Sequence, residues 1–257
     1  MLCMEPPRKR RLFRRGLRKR LQAEEGAVMS REEEHVKKRI LKAAKTLTAL
    51  KGFEATTVRE ICTKADANLS LVSYYYGGKE HVFESMLDAF ILIGTASEVL
   101  ASRQPEPVAG VCTMVREILS FHRYDPEISR IIHQELTRET PRTEIVRARV
   151  MPGWLLMRRY LEEGRTLGEF HFRSLDMVLV QAMGSILFGG VRSGLPVKQE
   201  NLDEEAQLGD VLNFILGGIG YTGEARFAGE PIIPGLVPTC AQQHVEESGM
   251  AGREPQS

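Results

Sequence analysis

The apolar positions of this chain follow a helical period almost throughout. Between residues 33 and 51 they lie on one stripe of an amphipathic helix. The residues of this stripe are Val36, Ile40, Ala43, Ala44, Leu47 and Leu50. Gly52 follows as a C-terminal cap, and Phe53 is placed to fold back onto the stripe. The pattern therefore predicts a long first helix that ends near residue 51.

Helical periodicity resumes after residue 80 and continues to about residue 219. The predicted helices have approximate bounds of 80–99, 107–123, 125–140, 142–165, 175–191 and 202–219. The helix over 142–165 is expected to bend at Pro152. Strict alternation of apolar and polar residues, which would predict a strand, does not extend over a useful length. We therefore expect an all-α fold of about eight to ten helices.

Residues 56–80 carry the pattern of two short helices joined by a tight turn. Thr57 is a good cap for the first of them, and Glu60, three residues later, completes the pattern of a capping box. Asp66 stands in the turn, since aspartate tolerates the left-handed backbone better than most residues. Asn68 is a strong cap for the second helix. This pattern is typical of a helix-turn-helix DNA reader, although similar helix pairs also occur in all-α proteins that never touch DNA.

Three consecutive tyrosines, residues 74–76, close the second short helix. Successive helical residues point about 100° apart, so the three rings cannot share one face. We expect Val72 and Tyr76 to be buried and at least one other tyrosine to be exposed. An exposed tyrosine hydroxyl at this place suits a hydrogen bond to a DNA phosphate.

Residues 36–83 resemble the N-terminal domain of the TetR/AcrR family of transcriptional regulators. The matching residues are Ile40-Leu41-Lys42-Ala43-Ala44, Gly52-Phe53, Thr56-Thr57-Val58-Arg59-Glu60-Ile61, Ala65 and Tyr74-Tyr75-Tyr76-Gly77-Gly78-Lys79-Glu80. Cys62, Asp66, Leu71 and Tyr76 stand where the family usually has Ala, Gly, Thr and Phe. The change at Leu71 bears on the operator sequence, because a leucine contacts a thymine methyl where the family often places a hydroxyl.

The resemblance implies an N-terminal three-helix helix-turn-helix DNA-binding domain and a C-terminal helical domain that binds an effector and dimerises. It assigns phosphate contacts to Tyr74 or Tyr75 and to Lys79, and base reading to the early exposed residues of the second short helix. The complete predicted DNA-binding set is Thr57, Asn68, Leu69, Ser70, Leu71, Ser73, Tyr74, Tyr75 and Lys79. The exposed face of the first helix adds basic residues that are solvated or face phosphates, namely Lys37, Lys38, Arg39, Lys42 and Lys45.

In this family the last two helices pack against their copies in a second subunit as a four-helix bundle. Segments 175–191 and 202–219 are too apolar to face water on every side, which fits such a homodimer or burial within one subunit. We favour the dimer, because two-fold symmetry doubles the contacts to a palindromic site. The predicted interface residues are Leu179, Met183, Ile186, Leu187, Leu208, Val211, Leu212 and Ile215.

The resemblance also implies a small apolar or amphipathic effector held among the middle helices. The predicted pocket residues are Met114, Ile118, Phe121, Ile132, Leu136, Met151, Trp154, Leu155 and Phe172. Met and aromatic residues suit such pockets, but any core contains them too. His122, His133 and Glu135 are possible polar anchors, and their spacing matches no metal-site pattern. No cofactor or metal is predicted.

The net charge of +1 conceals a basic N-terminus. Residues 1–30 hold nine Lys or Arg and three Glu, whereas the remainder has a net charge of −5. Such blocks of like charge are usually disordered. One interpretation is a flexible arm that adds phosphate or minor-groove contacts. The other is that these residues are not part of the working protein, because Met29 begins a stretch that resembles a natural start for the family.

Other functional classes find little support in the sequence. No apolar run of useful length follows the basic residues, so no signal peptide is predicted, and we expect no membrane span. The four cysteines are scattered without the spacing of a zinc site or a disulfide framework, which fits a reducing cytoplasm. Neither a nucleophile elbow nor a glycine-rich phosphate loop is present, so an enzyme is not expected.

Four regions follow from these patterns. They are a disordered basic extension (1–30), a helix-turn-helix DNA-binding domain (31–80), a helical effector-binding and dimerisation domain (81–220) and a disordered tail (221–257). The leading hypothesis is a dimeric transcriptional repressor that a small-molecule effector releases from a palindromic operator. The alternative is a DNA-bound scaffold or activator without a small-molecule ligand.

Overall fold

The computed structural model of the protein describes residues 32–188 and 204–232, which form helices and no strand. The predicted all-α fold is thus confirmed for this part of the chain. Contacts divide it into two compact units, with the boundary after Met86. In chain order the helices are α1 (residues 32–51), α2 (Val58–Ala65), α3 (Leu69–Tyr76), α4 (Lys79–Phe90), α5 (Ile93–Ser102), α6 (Pro107–Tyr124), α7 (Pro126–Arg138), α8 (Thr143–Thr166), α9 (Leu175–Phe188) and α10 (Glu204–Gly218). The predicted extension over residues 1–30 lies outside the described residues.

The first unit closes around an apolar core to which α1, α2, α3 and α4 all contribute. Ile40 on α1 and Val72 on α3 are fully buried. Phe53, after α1, meets Phe83 of α4 edge to face, with their ring centroids 5.0 Å apart. This core fixes the three N-terminal helices against one another, as a helix-turn-helix domain requires.

The buried side of α1 shifts around the helix towards its C-terminal end. Thr48 and Ala49 are buried there, whereas Leu50, predicted on the buried stripe, is 73% exposed. The prediction for Leu50 was wrong because the buried positions near the end of α1 no longer follow the stripe that begins at Val36. Gly52 then adopts a φ of 83°, a left-handed conformation that lets the chain turn away from the end of α1.

The core of the second unit lies between α6 and α8, with α9 and α10 packed against it. Val111 and Val115 on α6 and Leu161 on α8 are fully buried. A Cβ atom at Gly110 would lie only 2.7 Å from the ring of Tyr160, so the glycine lets α6 and α8 approach closely. Helix α8 runs through Pro152 as one helix of 24 residues.

The segment predicted as one helix over residues 80–99 is two helices. α4 ends at Phe90 and α5 begins at Ile93. Lys79–Ser102 is also the described stretch that is long and apolar enough to cross a membrane by length and composition. This criterion is weak evidence, because core helices of soluble proteins meet it too.

Residues 221–232, here named the C-terminal strap, fold back onto α5 and α6. The amide of Ala228 donates to Thr113 Oγ1 at 2.8 Å, and the amide of Ile232 donates to Glu117 Oε2 at 3.1 Å. Arg103, just after α5, donates to the carbonyl oxygen of Ala228. Thr113, Glu117 and Ile232 are all buried.

The prediction of a disordered tail was therefore wrong for the C-terminal strap. Its sequence is rich in Gly and charged residues and lacks apolar periodicity. Its contacts are mainly hydrogen bonds between backbone groups of the strap and side chains more than a hundred positions earlier in the chain. The rest of the predicted tail, residues 233–257, lies outside the described residues.

Candidate nucleic-acid interface

Thr57 caps α2 in the geometry that the sequence predicts. Its hydroxyl oxygen accepts from the Glu60 amide at 3.3 Å, and its own amide donates to the Glu60 carboxylate at 2.9 Å. Hydrogen bonds from Lys51, and then from Thr57, lower the pKa of Glu60 to about 2. The capping box is confirmed. Thr57 is exposed at a helix start, where free amides favour an anion.

Three residues, Asp66 to Asn68, form the turn between α2 and α3. Asp66 has φ 49° and ψ 54°, which is the left-handed conformation. The amide of Ala67 donates back to the Cys62 carbonyl at 3.0 Å and closes α2 in a Schellman motif. Asn68 Oδ1 accepts from the Ser70 amide at 3.1 Å. Asn68 is therefore the cap of α3, as predicted.

The inner face of α3 holds the helix in the core of the first unit. Val72 is fully buried. The hydroxyl of Tyr76 donates to the Lys37 carbonyl at 3.3 Å, and burial of the ring raises the pKa of Tyr76 to about 12. The predicted burial is confirmed for Val72, whereas Tyr76 is only half-buried.

The outer face of α3 is open to solvent. Tyr74 is 79% exposed and Leu69 is 50% exposed, while Ser70 and Ser73 are also exposed. Leu71 is half-buried, so less of its side chain faces outward than the sequence led us to expect. The first five residues of α3 thus present two hydroxyls and an apolar side chain to solvent, groups that suit base edges in a major groove.

The other tyrosine of the run lies between these two faces. Tyr75 is half-buried, and its ring meets that of Tyr74 edge to face with centroids 5.2 Å apart. Lys37 Nζ lies 4.8 Å from the centroid of the Tyr75 ring. Tyr74 is therefore the most exposed of the three tyrosines.

Lys79 begins α4, beside the C-terminal end of α3. Its Nζ lies 4.0 Å from the centroid of the Phe53 ring and donates to the Glu54 carbonyl at 3.4 Å. Gly77 ends α3 with a φ of 74° and so brings this helix start next to the tyrosines. A phosphate bound here would face the ammonium group and the free amides at the start of α4.

The structure places most of the predicted dimer-interface residues inside the subunit. Leu179, Met183, Ile186, Leu212 and Ile215 are buried in the core of the second unit. Leu187, Leu208 and Val211 are half-buried. The prediction chose the wrong face for the five buried residues, because α9 and α10 are apolar on more than one side.

A different face of α9 and α10 is exposed and apolar. Met177 is 57% exposed, Val180 is 58% exposed and Phe214 is 68% exposed. A groove of about 400 Å³ runs between the two helices on this face, and Gly184 and Phe214 are among the residues that line it. The sequence signal for these residues was present in the all-round apolar character of both helices.

The predicted effector-pocket residues are distributed over core and surface. Met114, Ile118, Phe121 and Ile132 are buried. The partly buried members of the set are Leu136, Met151, Trp154 and Phe172. Leu155 is 58% exposed, so its assignment to an internal pocket was wrong. It lies on the outer side of α8, whereas Leu156 on the next position is buried.

The three polar residues considered as anchors have different environments. His122 is half-buried, and its Nε2 lies without a hydrogen-bond partner in the described part of the protein. Burial, with a smaller effect of His133, lowers the pKa of His122 to about 4. Glu135 instead links α7 to α8 through Arg142 Nε at 3.4 Å. Among the described residues, no group of three His, Cys, Asp or Glu side chains could hold a metal ion.

Comparisons with known proteins agree with this geometry. Residues 40–86 match the family model described as bacterial regulatory proteins of the tetR family. The chain is 28% identical over 151 residues to the probable HTH-type transcriptional regulator YttP of Bacillus subtilis, and the match covers 56% of this chain and 72% of YttP. It is 26% identical to the HTH-type transcriptional repressor NicS of Pseudomonas putida, over 45% of this chain and 55% of NicS.

The fold is also that of a solved regulator. The crystal structure of HlyIIR, a hemolysin II transcriptional regulator, superposes with a TM-score of 0.61 at 23% identity. The superposition covers 74% of this chain and 99% of HlyIIR, so it extends well beyond the helix-turn-helix. This likeness concerns the fold. The family match over residues 40–86 and the curated relatives identify the chain as a transcriptional regulator of the TetR family with a helix-turn-helix DNA-binding domain.

Proposed function

We propose that this regulator is a dimeric repressor that binds a palindromic operator and is released from it by a small-molecule effector. The observation that carries the operator-binding part is the outer face of α3, where Tyr74 is 79% exposed while Val72, on the opposite face, is fully buried. Leu69, Ser70 and Ser73 are the proposed base readers, and Thr57, Tyr74, Tyr75 and Lys79 are the proposed phosphate contacts. The relative NicS is named a repressor, which favours repression over activation.

The exposed face of α9 and α10 supports a two-fold dimer. Phe214 and Val180 expose large apolar areas on it, and such patches mark protein interfaces. Gly184 and Gly218 line the groove between the helices, and a Cβ placed at either glycine would meet no described atom within 4 Å beyond its chain neighbours and its own helix backbone. Glycine inside a helix costs about 1 kcal/mol relative to alanine. Close approach of the same face of a second subunit explains why glycine is present at these positions.

An effector site among the middle helices is supported by a buried polar atom. His122 Nε2 lacks a hydrogen-bond partner among the described residues. Its neighbour Phe121 is buried, and Met114 and Ile118 lie earlier on the same helix. A ligand with a hydrogen-bonding group and an apolar body would pair with His122 and contact such side chains. An effector acts as an inducer only if it binds the conformation with low operator affinity more tightly.

Operator binding is tested with duplex DNA that the full-length protein selects from a random pool. Tyr74→Ala removes the most exposed tyrosine of α3, and Tyr124→Ala is a matched control, since Tyr124 is 61% exposed but lies at the end of α6. Loss of one phosphate hydrogen bond weakens binding by about tenfold. We expect this loss, measured by fluorescence anisotropy, for Tyr74→Ala alone. Equal affinities of the two variants would contradict the proposed reading face.

The effector is sought by a thermal-shift screen of small lipophilic compounds that carry a hydrogen-bonding group. A compound that stabilises the wild type should stabilise His122→Leu less and should lower the affinity for the selected duplex. The alternative is that the protein is a DNA-bound scaffold or activator without a small-molecule ligand. In that case, compounds that raise the melting temperature should leave the operator affinity unchanged.

A further inference from the structure

Arg39, on α1, binds the turn between α2 and α3. Its Nε donates to the carbonyl oxygen of Ala65 at 2.9 Å, and its Nη2 donates to the carbonyl oxygen of Asp66 at 3.0 Å. These carbonyls lie at the C-terminal end of α2, where the last carbonyls of a helix have no partner within it. The guanidinium group thus completes the hydrogen bonding of the turn and places a positive charge at the negative end of α2.

The turn needs this support because Asp66 adopts a left-handed conformation, with a φ of 49°. Only glycine adopts it without a steric cost from a Cβ atom. The amides of the turn are satisfied by α2 itself, since Asp66 and Ala67 donate to the Thr63 and Cys62 carbonyls. Two carbonyls at the turn are bound from outside α2, and Arg39 binds both. Arg39 therefore offsets part of the strain of a non-glycine residue at position 66.

The position of this turn decides where α3 begins. Asn68 caps α3 two residues after Asp66, and its side chain accepts from the Ser70 amide at 3.1 Å. Any rotation of the turn therefore moves Leu69 and Ser70, the first proposed base readers. A shift of that kind changes base contacts without changing the number of phosphate contacts.

We propose that Arg39 is a positioning residue for DNA reading, which holds the α2–α3 turn around Asp66 and makes no phosphate contact itself. The proposal rests on the proposed role of α3 as the reading helix. It revises the expectation that Arg39 belongs to the solvated or phosphate-facing basic residues of α1. Lys42, one turn further along the exposed side of α1, is a residue to which that expectation still applies.

Salt dependence separates the two roles. When a residue that contacts a phosphate is removed, the magnitude of the slope of log affinity against log salt concentration falls by about one. The loss of a positioning residue weakens binding and leaves the slope unchanged. We therefore compare full-length wild type, Arg39→Ala, Asp66→Gly, the double variant and the control Lys42→Ala on the duplex that the wild type selects from a random pool.

We expect Arg39→Ala to weaken binding about tenfold, since it removes two hydrogen bonds from a charged donor. The slope should equal that of the wild type. In the Asp66→Gly background, the same substitution should weaken binding less than about twofold, because glycine adopts the left-handed conformation unaided. The proposal would be overturned if the magnitude of the salt slope of Arg39→Ala were smaller by one. It would also be overturned if Arg39→Ala lost as much DNA affinity in the Asp66→Gly background as in the wild type.

Amide hydrogen exchange of the free protein tests the turn without DNA. In Arg39→Ala the amides of Ala67 and Ser70 should exchange about tenfold faster, as the local opening free energy falls with the lost bonds. The exchange rates of these two amides should be unchanged in Lys42→Ala. Unchanged exchange in Arg39→Ala overturns the proposal. If the wild type selects no duplex, DNA reading itself fails, and amide exchange still decides whether Arg39 holds the turn.

Discussion

Replacing Phe214 by serine should dissociate the proposed dimer. Phe214 lies on α10 with 68% of its surface exposed, beside the groove between α9 and α10. A phenylalanine has roughly 200 Å² of surface to bury, so about 140 Å² is available to a partner subunit. At about 25 cal/mol per Å², this contact is worth about 3.5 kcal/mol in each subunit. A two-fold interface contains the contact twice, which gives about 7 kcal/mol for the dimer.

Only part of this free energy reaches the association constant, because ordering of interface side chains opposes it. If half is retained, Phe214→Ser raises the dimer dissociation constant by at least about a hundredfold. The matched control is Leu167→Ser, since Leu167 is also 68% exposed but follows α8 and does not lie on the exposed face of α9 and α10. Leu167→Ser should leave the dissociation constant within about threefold of the wild type.

Sedimentation velocity over a concentration series measures both dissociation constants. Circular dichroism should show that each variant keeps its helix content, because neither side chain is buried in the subunit. The reasoning is refuted if Phe214→Ser dimerises as tightly as the wild type or if both variants weaken the dimer equally. A wild type that stays monomeric at every concentration would refute the dimer itself.

Three further predictions concern stability, each measured by urea denaturation at fixed protein concentration. Gly164→Ala would overlap the buried ring of Phe170 and should destabilise the protein by about 1–3 kcal/mol. Gly209→Ala adds a Cβ that meets no described atom within 4 Å beyond its chain neighbours and its own helix backbone, so it should be neutral or stabilising by up to about 1 kcal/mol. Equal effects of the two substitutions would contradict the packing. Ile232→Ala should cost about 2 kcal/mol, since Ile232, the last residue of the strap, is buried in the core of the second unit, and no change would mean that the strap is not docked in solution. The pKa of His122 is lowered to about 4, so the folded protein favours the neutral ring. The contribution of His122 to the free energy of unfolding is therefore present above about pH 6.5 and is lost as the pH falls towards 4. Between about pH 7.5 and 5 this loss amounts to about 2 kcal/mol and should be absent in His122→Gln.

The helix-turn-helix could be predicted in detail because its determinants are close in the sequence. Thr57 and Glu60 form the capping box, and Asn68 caps the next helix through Ser70. These contacts span two or three residues, so the pattern of residue types is sufficient to identify them. The outward position of Tyr74 also follows from helical geometry once Val72 is assigned to the core.

The orientation of α9 and α10 could not be predicted in the same way. Both helices are apolar on more than one side, so periodicity does not state which side faces the core of the subunit. The structure turns Ile186 and Leu212 inward and leaves Val180 and Phe214 outside. That choice depends on packing against α6, which lies about 65 positions before α9 and about 95 positions before α10.

The break between α4 and α5 has no local signal either. Residues 91 and 92 are Ile and Leu, and neither Gly nor Pro stands there to end a helix. Helix α5 instead packs along α8, and Arg149 of α8 donates to the Asp88 carboxylate at 2.7 Å. The chain leaves its helical path at residues 91 and 92 because contacts far along the sequence favour a new direction for α5.

Arg39 and the C-terminal strap show a further limit of residue patterns. The hydrogen bonds of Arg39 and those of the strap join side chains to backbone groups. Because backbone groups are the same in nearly every residue, the residue type at the backbone partner does not reveal the bond. Arg103 and Arg39 are therefore indistinguishable in the sequence from solvated charges. The strap begins three positions after the end of α10, and Glu117, which accepts from the Ile232 amide, also accepts from Arg116 Nη2 at 3.0 Å. The bonds of the strap thus add to a core that α6 and α8 already form, whereas the two bonds of Arg39 belong to the turn that starts α3.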